Sequence, residues 1–278
     1  MRDDFAVMIC SHGRAEKVSS FDVLRNHGYT GEIIIVIDDE DGQIDLYKEK
    51  FDYVEVFCKE EYYQRSDGVI NGKQKAILYA RNACYDIAKM KGYSYFIEMD
   101  DDFTDIRARG VVDGTLKSAK IKNLDDCFEN MIELFEHKNV MALSLGVQGD
   151  YIGGAESRGA REKVMRACVG GFFLLKTDRR INFLSSMNED ISTSLVYGQK
   201  GNLFLRLCNM MALSELIGQN ESGMQEAYES ISPFARAFIG TVVRPDCMSV
   251  RDREKPQIQV SWGNAVPMII NERWKKYA

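Results

Sequence analysis

The run Tyr95-Phe96-Ile97-Glu98-Met99-Asp100-Asp101-Asp102 closes an apolar segment with three successive carboxylates. Carboxylates repel one another and are strongly solvated, so three at the mouth of a buried strand concentrate charge that a cation can neutralise. Hard divalent ions such as Mg²⁺ or Mn²⁺ are commonly held by one or two protein carboxylates, with water and substrate phosphates completing the shell. The strand end therefore points to a metal and a phosphate-bearing ligand. The alternative is a solvated acidic turn in which Asp102 or Thr104 caps the next element.

Two further polar clusters follow apolar runs. Residues 5–10 (FAVMIC) lead into Ser11-His12-Gly13-Arg14 and a helical segment over 15–27, and residues 33–37 (IIIVI) end in Asp38-Asp39-Glu40-Asp41-Gly42. A third short strand spans 54–57, and residues 72–90 carry a helical stripe of Ile77, Ala80, Ala83, Cys84, Ile87 and Ala88. Strands buried on both faces and alternating with helices predict an α/β fold with a parallel, doubly wound sheet. Such sheets bind ligands at the carboxyl ends of their strands, where all three polar clusters fall.

The second half is less regular. Residues 123–137 predict an amphipathic helix starting at Asn123 or Asp125, residues 140–145 a strand, and residues 168–175 another strand whose Gly170-Gly171 pair permits a close approach or a sharp bend. Asn188-Glu189-Asp190 then precedes a helix, where Asn188 or Asp190 fits an N-cap.

The 278 residues suffice for one large domain, divided into a nucleotide-binding half over about 1–135 and an acceptor half over about 136–278. No apolar run approaches the roughly 20 residues of a membrane span, and the N-terminus lacks the pattern of a signal peptide, so a cytoplasmic protein is expected. Seven scattered cysteines without a CxxC pattern read as reduced core residues, and three histidines (His12, His27, His137) argue against a histidine-rich metal centre. The net charge of −6 divides into −9 over residues 1–135 and +3 over 136–278. Acid gathers at the expected metal site. Base gathers in Arg158, Arg161, Lys163 and Arg166, in Lys176, Arg179 and Arg180, and in Arg251, Arg253 and Lys255, which suits either a polyanionic partner or an ordinary solvated face.

Taken in order, the Ser-x-Gly-Arg turn, the Asp38-Asp39 strand end, Ala80-Arg81-Asn82, Asp100-Asp101-Asp102, the Gly-Gly-Phe strand and Glu189-Asp190 resemble the GT-A glycosyltransferases, over residues 5–200. The openings AVMICSHGRAEKV and GYTGEIIIVIDDEDGQIDLY, with the late QVSWGNAVPMII, resemble more narrowly the phage TET/JBP-associated glycosyltransferases of hypermodified DNA. The resemblance implies a GT-A (Rossmann-like), mostly parallel sheet flanked by helices, a nucleotide-diphosphate sugar donor with UDP favoured, Mn²⁺ or Mg²⁺, and a hydroxymethylated pyrimidine in DNA as acceptor. In these terms Asp102 is the first metal ligand, and Asp100 serves the ribose or a water on the metal. Ser11, Arg14, Asp38, Asp39, Arg81, Asp100 and Asp101 form the nucleotide-sugar set. Arg14 matches phosphate as a planar donor, Asp38 or Asp39 accepts from the base edge or ribose, and Arg81 either faces the nucleotide or pairs with a strand-end Asp. An inverting transfer needs a carboxylate to take the acceptor's proton, a role that falls to Asp190 within the Glu189-Asp190 motif.

The pattern departs from the family in one respect. GT-A enzymes often use a late histidine on the metal, and none follows His137, which leaves Asn264, Asp252 or water in its place. Tyr62, Tyr63, Tyr151, Phe172, Phe173 and Trp262 are candidates to stack on an extruded base, against the alternative of ordinary core aromatics. Competing functions are transfer to a glycan, protein or metabolite, a nucleotidyltransferase of similar fold, and a non-catalytic binding module.

Overall fold

The computed structural model describes residues 1–66, 77–214, 231–251 and 256–265. In a ten-stranded sheet among these residues β1 (Phe5–Cys10) lies third from one edge. On one side lie β2 (Glu32–Asp38) and β3 (Val54–Phe57), and on the other β4 (Tyr95–Asp100), all parallel to β1. The order continues through β9 (Phe172–Lys176), β7 (Ala142–Gly146), β10 (Phe204–Ser214), β5 (Phe103–Val112) and β6 (Thr115–Lys120), with β8 (Val164–Met165) pairing beside β10. β7 and β10 run parallel to each other, whereas β9 is antiparallel to both β4 and β7.

The expectation of a mostly parallel α/β sheet holds, and its physical cause is two-sided burial. Every residue of β1 is buried: Phe5, Val7 and Ile9 join the core on one face, and Ala6, Met8 and Cys10 join the core on the other. Helices α1 (Ser19–Asn26), α2 (Ile44–Lys50) and α5 (Leu124–Lys138) cover the first face. Helix α4 (Ile77–Lys91) covers the second, where α3 (Lys59–Gln64) adds Tyr62 and Tyr63 and α7 (Glu189–Gln199) adds Tyr197. The short α6 (Arg158–Glu162) lies beside β10, α8 (Pro233–Val243) packs on the hairpin of β11 (Met248–Arg251) and β12 (Gln257–Val260), and α9 (Trp262–Ala265) meets α7.

Several boundaries shift for identifiable reasons. The first helix begins at Ser19, not at residue 15, because residues 11–18 are spent on the strand-end turn. The α4 pattern is helical from Ile77, its residues 72–76 lying outside the described residues. Asn123 caps α5 by accepting from the Asp126 amide at 3.1 Å, and Asn139 closes it in the left-handed conformation. The element after the acidic triplet is strand β5, which opens a hairpin with β6, so neither Asp102 nor Thr104 is a helix N-cap. Among the described residues no helix is long and apolar enough to cross a membrane.

The chain passes from β1 outward to β2 and β3, then returns to place β4 on the other side of β1. That reversal opens a crevice at the carboxyl ends of β1 and β4. Register aligns Cys10 with Asp100, so Ser11 and Asp101 leave the sheet as neighbours.

Candidate active site

Asp101 holds the crevice together. It is 5% exposed; its Oδ1 accepts from Arg14 Nη1 at 2.7 Å and its Oδ2 from Ser11 Oγ at 2.5 Å. Burial pushes its carboxyl up to about 6, against the opposing pull of Arg14 and Ser11. Tyr47, on α2, sits behind the pair: its hydroxyl lies 2.7 Å from Ser11 Oγ and accepts from the Arg14 amide at 2.9 Å. Ser11, Arg14 and Asp101 therefore come together as expected, although Asp101 serves as the anchor of the other two.

Asp38 extends the same rim. Its Oδ2 is 2.6 Å from His12 Nδ1, and its Oδ1 accepts from the Glu40 amide at 3.1 Å. Burial opposes ionisation of Asp38, but His12 and Lys59 hold its carboxyl below the ordinary range. Asp39 is exposed and accepts from the Lys59 amide at 2.9 Å, while buried Asp41 receives the Gly13 amide at 2.7 Å and fixes the turn. Sequence reasoning missed His12, Asp41 and Tyr47 as site-builders. The only available signal was their position within or just beyond the strand-end clusters.

The acidic turn is gripped from α1. Ser20 Oγ donates to the Asp100 carbonyl at 2.6 Å and accepts from the Phe103 amide at 2.9 Å, and the Ser20 amide donates to the Asp101 carbonyl at 3.2 Å. Ser19 Oγ donates to the Phe103 carbonyl at 2.9 Å. This clamp fixes the backbone from which Asp100 and half-buried Asp102 project.

Arg81 is 1% exposed and pairs with three carboxylates: Asp100 at 2.8 Å, Glu189 at 3.2 Å and Glu98 at 3.4 Å. Its guanidinium also lies 5.2 Å from the Phe173 ring centroid and 5.5 Å from that of Phe183. Of the two roles expected for Arg81, pairing with a strand-end Asp is the one the geometry contains. A guanidinium enclosed in this way presents no face to a nucleotide, and it acts as the joint between β4 and α7. Glu98, absent from the expected site, is fully buried in β4, and its Oε2 has no hydrogen-bond partner. Burial pushes Glu98 up to about 8 in spite of Arg81. Burial, with the charges of Asp190 and Asp100 added, pushes Glu189 up to about 7. Asp100 is raised by burial and by Asp190, with Arg81 opposing. One guanidinium cannot neutralise so many carboxylates, which leaves the cluster an excess of negative charge.

Gly170 and Gly171 bring Asp100 and Asp190 together. The Gly171 carbonyl accepts from the Asp100 amide at 2.9 Å, and the Gly170 amide donates to Asp190 Oδ2 at 2.7 Å. Gly170 has φ +87°, and a Cβ on Gly171 would fall 1.9 Å from Asp100 Oδ2, so the pair is needed for both conformation and clearance. Helix capping, the alternative role for this acidic motif, is not what the side chains do. Asn188 makes no cap hydrogen bond, and Asp190 reaches across to Gly170.

Among the described residues no group of three His, Cys, Asp or Glu side chains forms a metal cage. The oxygen donors of Asp100 and Asp102 nevertheless suit a hard divalent ion whose shell is completed by water and a diphosphate. Of the late candidates to replace a histidine, Asn264 is exposed on α9, and Asp252 lies outside the described residues. Of the two readings of the aromatics, core packing is the one found for Tyr62, Phe172 and Phe173 in the cores on the two sheet faces and for Tyr151 in a small cluster with Met165, Cys208 and Met211, while Tyr63 packs partly against the α4 core. Trp262 remains half-exposed.

A sheet reversed at β1 and β4, with acidic residues at the crevice, is the arrangement expected of a GT-A fold. The family model of TET-associated glycosyltransferases matches residues 5–223. The chain belongs to that family. No curated protein matches it significantly in sequence. Among solved structures, a mannosyltransferase of Pyrobaculum calidifontis in complex with GDP-Man and Mn²⁺ aligns with TM-score 0.50 and 10% identity, over 79% of this chain and 59% of that one. S. aureus TarS in complex with UDP-GlcNAc aligns with TM-score 0.49 and 12% identity, over 86% of this chain and 65% of that one. The chain thus spans less than two thirds of either relative, and at such identities the likeness is one of fold.

Proposed function

We propose that this glycosyltransferase moves a sugar from a nucleotide-diphosphate sugar, UDP-linked by preference, onto the hydroxyl of a hydroxymethylated pyrimidine in phage DNA, with inversion at the anomeric carbon. The observation that carries the reading is the attachment of Asp100 and Asp190 to adjacent residues, Gly171 and Gly170, which sets a donor-side carboxylate beside an acceptor-side one. The family name and the nucleotide sugars held by the two solved relatives agree with it.

In this mechanism Ser11, Arg14 and Asp38 line the nucleotide side, their positions fixed by Asp101, Tyr47 and His12. Mn²⁺ or Mg²⁺ held by Asp102 and Asp100 would supply Lewis-acid stabilisation of the departing diphosphate. Asp190 accepts the proton of the acceptor hydroxyl as its oxygen bonds to the anomeric carbon and the bond from that carbon to the diphosphate oxygen breaks. Glu189, paired to Arg81, orients the first turn of α7 from which Asp190 projects.

The test combines UDP-sugars with hydroxymethylated duplex DNA and follows both the nucleotide and the anomeric product. Release of nucleoside diphosphate with an inverted glycoside on DNA is expected, whereas release of pyrophosphate would replace this reading with nucleotidyl transfer. Asp190→Asn keeps an oxygen to accept from Gly170, so nucleotide affinity should persist while turnover falls about 10²–10⁴-fold.

A further inference from the structure

On the face of the sheet that carries α7, a cavity of about 240 Å³ is lined by Arg158, Arg166, Arg206, Glu162, Met165 and Trp262, among others. Arg206 follows Phe204 by two residues on β10 and so faces the same side, where Phe204 packs into the α4 core. Arg206 is 5% exposed and bonds Asp150 at 2.9 Å, yet its buried Nε has no hydrogen-bond partner. Arg158 is paired to Glu162 at 2.9 Å. Arg166 is exposed and has no ion-pair partner among the described residues. Asp150 offsets Arg206 and Glu162 offsets Arg158, which leaves Arg166 as the excess positive charge, and the buried Nε of Arg206 is a donor still without an acceptor. The volume falls below the roughly 300–1,000 Å³ of sites for drug-sized ligands, and it suits one small anionic group.

The cavity is tied to the catalytic side through the chain. Ala167 lines it, the Cys168 carbonyl accepts from Ser194 of α7 at 2.5 Å, and Gly170 bonds Asp190. Three residues span at most about 11 Å, so the cavity wall lies within that distance of the residue holding Asp190. Trp262 offers a half-exposed indole at the same cavity.

We propose that this cavity is a phosphate subsite of the acceptor: it receives a backbone phosphodiester next to the base being modified, with a neighbouring base stacked on Trp262. The inference rests on the DNA-acceptor reading given above. Guanidiniums match phosphate oxygens through paired N–H donors, and an indole face accepts any base without regard to sequence.

Binding of a fluorescein-labelled 12-mer oligonucleotide, titrated across salt concentrations, tests it on the full chain with Arg166→Ala and Trp262→Ala, two residues outside the buried pair. Loss of the Arg166 contact should weaken binding several-fold and reduce the slope of log affinity against log salt by about 1. Trp262→Ala should cost roughly tenfold. UDP affinity should stay unchanged in both variants. Wild-type affinity and salt slope in both would overturn the subsite while leaving the donor reading intact. If the wild type binds no DNA but broadens the ³¹P resonance of inorganic phosphate, and Arg166→Ala abolishes the broadening, the phosphate site stands and its assignment to a polynucleotide is overturned.

Discussion

Gly171→Ala isolates the clearance on which the site depends. Gly171 lies outside the left-handed region, so alanine meets no backbone penalty, and the added Cβ meets Asp100 at 1.9 Å from Oδ2 and 2.4 Å from Cγ. The strand cannot retreat easily, because the Asp100 amide is bonded to the Gly171 carbonyl at 2.9 Å. The carboxylate must therefore swing away and give up its 2.8 Å bond to Arg81. A hydrogen bond to a charged group contributes about 1.5–3 kcal/mol, and an off-rotamer side chain costs about 0.5–1.5 kcal/mol. Relief of repulsion from Asp190 offsets part of this, so the net destabilisation should be about 2 kcal/mol by urea denaturation.

A double-mutant cycle separates this cause from general strand damage. In an Asp100→Ala background the closest remaining contact is Cβ to Cβ at 3.0 Å, and Gly171→Ala should cost less than about 1 kcal/mol. Turnover in the single variant should fall about 10²-fold, as expected for an angstrom-scale displacement of a positioned group. An unchanged cost of Gly171→Ala in the Asp100→Ala background would refute the clash, and full turnover in the single variant would refute the role given to Asp100.

Three further outcomes follow from the same geometry. Ser20→Ala removes both a donor to the Asp100 carbonyl and an acceptor for the Phe103 amide, and should cost about 1–3 kcal/mol in denaturant titrations. Glu98 has a folded pKa raised to about 8, so the native state holds more protons than the unfolded chain between about 4.5 and 8; metal-free stability should fall as pH rises through that window, by up to about 1.4 kcal/mol per pH unit for this proton. Glu98→Gln should flatten that part of the profile, and an unchanged slope would assign the retained proton elsewhere. Gly198, in the last turn of α7 with open space around a built Cβ, should accept alanine with a gain of up to about 1 kcal/mol in thermal unfolding.

The first half of the chain was legible because its signals are local. Continuous apolar runs give β1 to β4, and the residues that end them form the crevice: Ser11, Asp38 and Asp100 sit at strand termini. What each residue does there was less legible, because it depends on pairing between distant segments. Asp101 reads like its neighbours in sequence, yet its position beside Ser11 and Arg14 turns it inward. Arg81 sits on a buried helical stripe, and only the approach of β4 and α7 encloses it. Glu98 breaks the apolar pattern of β4 by a single residue, a signal that was present and is explained by Arg81 above it. The second half was least legible, since β8 is only two residues long and β10 carries no clean apolar-polar alternation, and both owe their order to contacts remote in sequence.

The Arg81 cluster is better understood as a positioning device than as a source of stability. Removing charges from water commonly costs as much as their attraction returns, and a buried pair is often no more stable than apolar residues of the same volume. Apolar residues in place of Arg81 and its carboxylates together would serve the fold about as well, whereas a leucine at 81 alone would strand Glu98, Asp100 and Glu189 without their cation. What an apolar set could not do is fix two carboxylates in direction as well as distance. Through separate nitrogens Arg81 reaches Asp100 at the end of β4 and Glu189 in the first turn of α7, so the two elements are held by one rigid plane. Gly170 and Gly171 make the second connection between the same two elements, through backbone. Two independent ties between β4 and α7 fix the relative placement of Asp100 and Asp190 more tightly than sheet packing alone, and that separation is the quantity a direct sugar transfer requires to be constant.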